Sequence, residues 1–128
     1  MALKDLKIDQ GQMLEELIES SVSSHIRYDI NQKAVIFLPE ALRNLSVQKK
    51  ILIYLLALRG WPYVIESTDI SQEAQPKDIA KAIMENGSTV RNNLQSLLKD
   101  GLILKGTTKY SISQIAITRI EDFMREER

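Results

Sequence analysis

The chain of 128 residues contains no cysteine, which excludes disulfide staples, thiolate nucleophiles and Cys-ligated zinc and is compatible with a reducing cytosol. Its single histidine, His25, has no second metal ligand three or four positions away, so neither a metal centre nor any other cofactor is expected. Three prolines and five glycines are too few for long disordered tracts. Charge of one sign is also missing: 17 basic side chains meet 17 acidic ones, which gives no support to indiscriminate binding of polyanions or anionic membranes. The longest apolar run, Ile51 to Leu58, falls far below the roughly 20 residues that span a bilayer. Met1 to Gln12 mixes charges of both signs without an apolar run, so no signal peptide is expected and a cytoplasmic protein is the default. No Gly-rich phosphate loop exists, and the serines lack a histidine to activate them, so the chain is not expected to be an enzyme.

What is present is enough Leu and Ile to fill one core, in a composition that is 44% hydrophobic and 27% charged. The charge, neutral in sum, is unevenly placed. Residues 1 to 24 hold two lysines against five acidic groups, whereas residues 75 to 110 hold six basic side chains against three acidic ones.

Met13, Leu14, Leu17, Ile18 and Val22 recur at helical spacing, with Glu15, Glu16 and Glu19 on the wet face. Ile26, Tyr28 and Ile30 then alternate with polar residues, Asn31 and Gln32 suit a turn, and Ala34 to Leu38 is an apolar run ending at Pro39. This reads as a short hairpin. Ser46 suits the N-cap of a helix over 47–58, apolar around most of its circumference and closed by Gly60, which marks it as the central buried helix. Trp61, Pro62 and Tyr63 follow, read as core packing with an exposed platform for a partner or effector as the alternative. Residues 62–75 are polar and irregular and read as a loop.

From Pro76 the pattern sharpens. Pro76 suits a first helical turn, and Ile79, Ala80, Ile83 and Met84 repeat at helical spacing. Gly87 is placed where a left-handed residue would reverse the chain, and Ser88 or Thr89 can cap the next helix. That helix turns Val90, Leu94, Leu97 and Leu98 inward and stops at Asp100-Gly101. Its other face carries Arg91, Asn92, Asn93, Gln95, Ser96 and Lys99, side chains able to donate and accept toward base edges and phosphates. Leu102 to Leu104, a turn with Lys105, Thr107, Thr108 and Lys109, and Tyr110 to Ser113 make an antiparallel hairpin, followed by a helix over about 114–127 with Ile117, Ile120, Phe123 and Met124 as its apolar face.

Two stretches carry a family likeness: Asp78-Ile79-Ala80-Lys81, and Gly87 through Ile103 with its S-T-V-x-x-x-L-x-x-L-x-x-x-G-L-I spacing. Over about 40 of the 128 residues the chain resembles winged helix-turn-helix regulators of the multiple-antibiotic-resistance-repressor and related prokaryotic types. The resemblance implies an α+β, mostly helical protein, with residues 1–45 an N-terminal helix and short β-hairpin extension and residues 46–128 the winged-helix domain. It implies a sequence-specific transcriptional regulator. Ser88, Thr89, Arg91, Asn92, Gln95 and Lys99 of a recognition helix over about 88–99 would enter the major groove, and Lys105, Thr107, Thr108 and Lys109 of a wing over 102–113 would meet the backbone. Many wings of that family are longer and hold an arginine at the tip; this one holds none. The expected partners are double-stranded DNA and a second copy of the chain, joined through the first helix, the last helix or both, since one such module buries only about 600 to 1,000 Å² against DNA. No effector is indicated. The competing readings are a protein-docking winged helix and an accessory subunit of a DNA-processing complex.

Overall fold

The computed structural model describes Leu3 and residues 10–66 and 69–125. Its elements are α1 (Gln10–Val22), β1 (Ile26–Asp29), β2 (Ala34–Phe37), α2 (Pro39–Asn44), α3 (Val47–Arg59), α4 (Trp61–Val64), α5 (Pro76–Ile83), α6 (Gly87–Lys99), β3 (Ile103–Lys105), β4 (Tyr110–Ile112) and α7 (Gln114–Arg125). The fold is the mostly helical winged helix-turn-helix that the sequence implies: α3, α5 and α6 form the helical core of the motif, and β3 and β4 its wing. The end of the last helix beyond Arg125, and Ser67 and Thr68 in the polar segment, lie outside the described residues.

α3 is the hub. From Ile51 to Leu58 every side chain except that of Tyr54 is buried, against α1, the first hairpin, α5, α6 and the wing. Ser46 caps it, its Oγ accepting from the Lys49 amide at 3.2 Å. The first hairpin pairs Ile26 with Phe37 and Asp29 with Ala34. Asp29 Oδ1 accepts from the amides of Asn31 and Gln32, and Lys33 takes the left-handed conformation that closes the loop. Tyr28 ties this hairpin to α3 by donating to the Ala57 carbonyl at 2.6 Å, and burial pushes its phenol up to about 12. A β-carbon on Gly60 would come 2.5 Å from the Tyr28 hydroxyl, so this close approach requires glycine.

Two short helices occupy stretches that the sequence assigns otherwise. Pro39 does not simply end a strand; it opens α2, with Glu40 in the first turn and Arg43 in the last, as the helix dipole favours. The loop expected from Pro62 onward begins with α4, anchored by Trp61, which is 2% exposed and meets Tyr28 edge-on at 4.9 Å. Trp61 is therefore core and no platform. Ala74, also in the expected loop, exchanges backbone hydrogen bonds of 3.0 and 2.8 Å with Tyr110 and so adds a one-residue third strand to the wing.

The helix-turn-helix itself departs from expectation at its corner. The left-handed residue is Met84, at φ 57°, and not Gly87, which is already helical. The Glu85 amide donates to the Ala80 carbonyl and the Met84 amide to that of Lys81, a Schellman closure built on methionine. Lys50 explains how the strain is tolerated. Its ammonium reaches from α3 to the Ile83 and Leu42 carbonyls at 3.3 Å each and to Glu85 Oε2 at 2.6 Å, with side-chain exposures of 4% for Lys50 and 29% for Glu85. The residues on either side of Met84 are thus held by one buried cation.

Breaking a buried pair leaves the surviving groups uncompensated, so Lys50→Met is expected to lower the unfolding free energy by about 3 kcal/mol. Glu85→Gln keeps an acceptor and should cost about 1 kcal/mol; urea melts separate the two values, and equal small losses would contradict the clamp. A left-handed L-residue costs roughly 1 to 2 kcal/mol, and glycine's greater chain entropy returns about half of that. Met84→Gly should therefore raise stability by about 0.5 to 1 kcal/mol in the same melts.

Candidate nucleic-acid interface

α6 is positioned from both ends. At its start the cap is Asn86, not Ser88 or Thr89: Asn86 Oδ1 accepts from the Thr89 amide at 2.8 Å and from the Ser88 hydroxyl at 2.9 Å. An asparagine side chain reaches the third amide of a helix as well as serine does, and with it one residue earlier Gly87 joins the first turn. At the far end Gly101, at φ 76°, closes a second Schellman turn, in which the Leu102 amide donates to the Leu97 carbonyl and the Gly101 amide to that of Leu98. Ser113 then fixes the start of α7, its Oγ donating to the Gly101 carbonyl at 2.8 Å and accepting from the Ala116 amide at 3.1 Å.

Between these ends Val90, Leu94 and Leu97 are fully buried and leave one polar face outside. Ser88, Arg91, Asn92, Gln95 and Lys99 are exposed; Ser88, Arg91, Gln95 and Lys99 follow one another three or four positions apart, with Asn92 beside Arg91, so they share that face. Thr89 is half-buried, and its carbonyl accepts from the Asn93 amide group, which places both at the edge of the face. Arg91, Asn92, Gln95 and Lys99 have no side-chain hydrogen bond or ion pair among the described residues. The Arg91 guanidinium folds back one turn: Nη1 would lie 3.3 Å from a β-carbon on Gly87. It therefore sits at the amide-rich, positive end of α6, with nothing larger than hydrogen on Gly87 to displace it.

The wing pairs Ile103 with Ile112 and Lys105 with Tyr110. Ile103, Tyr110 and Ile112 are buried, and Gly106 donates to the Lys109 carbonyl at 2.8 Å to close the turn. Thr107 and Thr108 are exposed at the tip, and Lys109 is half-buried. Lys105 lies with its Nζ 5.8 Å from the Tyr110 ring centroid, a cation–π contact that leaves its charge in solvent. Nothing in the sequence singles out Glu73, whose carboxylate oxygen would lie 3.8 Å from a β-carbon on Gly106. Only the pairing of Ala74 with Tyr110 brings it there, and a single-residue bridge leaves no periodic trace in a sequence.

No group of three or more His, Cys, Asp or Glu side chains that could hold a metal occurs among the described residues, and none of their helices is long and apolar enough to cross a membrane. His25 lies apart from the interface, and burial lowers its pKa below the usual imidazole range. The polar face of α6 and the wing can instead offer donors, acceptors and positive charge to a polyanion with base edges.

No family model and no curated protein matches the chain. Two similar solved structures are of MepR from Staphylococcus aureus. One is a mutant from a multidrug-resistant clinical isolate, at TM-score 0.49 and 24% identity over 71% of this chain and 62% of that one, so this chain spans less than two thirds of its length. The other is MepR described as a transcription regulator of the multidrug efflux pump MepA, at TM-score 0.46 and 21% identity over 90% of this chain and 70% of that one.

Gly87→Ala should separate helix stability from side-chain placement. Alanine is the better helix former by up to about 1 kcal/mol, so the melting temperature should hold or rise. The new methyl must displace the flexible end of Arg91, and the expected outcome is a protein at least as stable whose arginine, read by the chemical shift of its Nε, has changed environment.

Proposed function

We propose that this protein is a sequence-specific DNA-binding transcriptional regulator, without catalytic activity, that acts in the cytoplasm as a homodimer joined through α1, α7 or both. In this reading residues 46–128 are the DNA-binding part and residues 1–45 its extension. The recognition helix lies in the major groove: Arg91 suits guanine, Asn92 and Gln95 suit adenine through paired hydrogen bonds, and Ser88, Thr89 and Lys99 meet phosphate or the groove edge. Lys105, Thr107, Thr108 and Lys109 rest the wing on the backbone.

The observation that carries the reading is Arg91. A guanidinium at the positive end of a helix is disfavoured by the helix dipole, and this one has no carboxylate partner among the described residues. Such an arrangement is complemented by an external anion or by the acceptor-rich edge of guanine. The exposed Leu104 on the wing is what the rival, a protein-docking winged helix, would use. The two readings differ in their response to salt, since only DNA binding releases condensed counterions.

Paired base contacts are each worth about 1 to 3 kcal/mol, so Arg91→Ala combined with Asn92→Ala should abolish a mobility shift on the protein's own promoter. Both residues are exposed, so the melting temperature should stay where it is. The wild-type affinity should also fall steeply between two salt concentrations. Full binding by the double variant, or affinity indifferent to salt, would remove the proposal.

A further inference from the structure

We infer that Glu73 is a built-in brake on the wing, a fixed negative charge that sets how tightly this hairpin can grip a nucleic-acid backbone. The inference rests on the DNA-binding reading and names a residue that the reading does not use.

Three observations place Glu73 beside the wing. Ser71 Oγ donates to the Glu73 carbonyl and accepts from the Glu73 amide, at 3.1 Å each, which sets the backbone at this residue. The next residue, Ala74, is bonded in both directions to Tyr110, which sets the register of the segment against the wing. The carboxylate oxygen then comes within 3.8 Å of where a side chain on Gly106 would begin.

Strand alternation says which surface this is. Ala74, Tyr110 and Lys105 lie in one row across the three strands, and Lys105 reaches over the Tyr110 ring. The neighbours of these residues, Glu73, Lys109 and Gly106, face the opposite way. Glu73 thus shares a surface with Lys109 at the turn, next to Thr107 and Thr108. It forms no salt bridge with Lys105 or Lys109, so its charge is not cancelled by a direct partner.

A phosphate approaching the wing tip meets Lys109 and this carboxylate together. The attraction of one is offset by the repulsion of the other, whatever the base sequence. The effect on affinity should therefore be uniform across duplexes, unlike the loss of a base-reading side chain, and it should fade as salt screens it.

The test titrates labelled random-sequence and promoter duplexes with the full chain, with Glu73→Gln and with Glu40→Gln, an equal charge change at an exposed position of α2, at low and high salt. Glu73→Gln should bind both duplexes about threefold to tenfold more tightly at low salt, by a similar factor for each, and the gain should shrink at high salt. Glu40→Gln should match the wild type. If the wild type binds and Glu73→Gln binds no better, or if both variants gain equally, the brake is refuted while the DNA-binding reading stands. If neither wild type nor Glu73→Gln binds any duplex at low salt, both fall.

Discussion

The arrangement of this molecule turns on one buried ammonium group. Lys50 projects from the central helix into the corner of the helix-turn-helix, where its three donors meet the Leu42 carbonyl, the Ile83 carbonyl and the Glu85 carboxylate. Each acceptor belongs to a different turn of chain, so one cation fixes the end of α2, the end of α5 and the approach to α6 at once. A cation so deeply buried is tolerated only because all its donors are used. The corner it secures contains a methionine in a left-handed conformation, 74% exposed, that contributes little packing of its own. The cross-link, not the turn residue, is what holds the corner between α5 and α6 to the core.

This explains which parts of the protein could be read in the sequence. The helices α1, α3, α5, α6 and α7 and both hairpins carry apolar periodicities set by burial against α3, and periodicity survives in a linear string. The corner could not be read in the same way. Gly87 looked like the left-handed residue because glycine adopts that conformation freely. The chain instead placed it on Met84, and the reason lies in a lysine more than thirty positions upstream. Lys50 itself sits in a Lys-Lys pair that resembles a solvated helix start, yet both lysines are buried, Lys49 donating to the Met124 carbonyl of α7 at 3.4 Å. Two further features are written in the sequence: Pro39 followed by Glu40 and Arg43 is a helix signature, and Asn86 is as good a cap as Ser88. Of the interface, the composition of the polar face of α6 was legible; the fold-back of Arg91 and the position of Glu73 were not.

The caps and the outward face of α6 are separate features. Asn86 uses the Ser88 hydroxyl hydrogen and the Thr89 amide, so these two residues serve the start of the helix first. Arg91, Asn92 and Gln95 have no such duty. Residues free of structural work can vary in identity without disturbing the fold.

The wing has the opposite character. Three paired residues on each strand make a sheet too small to stand alone, and it is secured by burial of Ile103, Tyr110 and Ile112 and by the bridge from Ala74. That bridge couples the wing to the segment that follows α4, and α4 is anchored by Trp61 against Tyr28 of the first hairpin. Tyr28 in turn is bonded to the C-terminal turn of α3. The N-terminal hairpin and α4 are thus joined by an edge-on aromatic pair, and the wing is joined to Ala74 by one backbone exchange. The same hairpin also packs through β2 directly on α5, so its position bears on the helix-turn-helix as well as on α4.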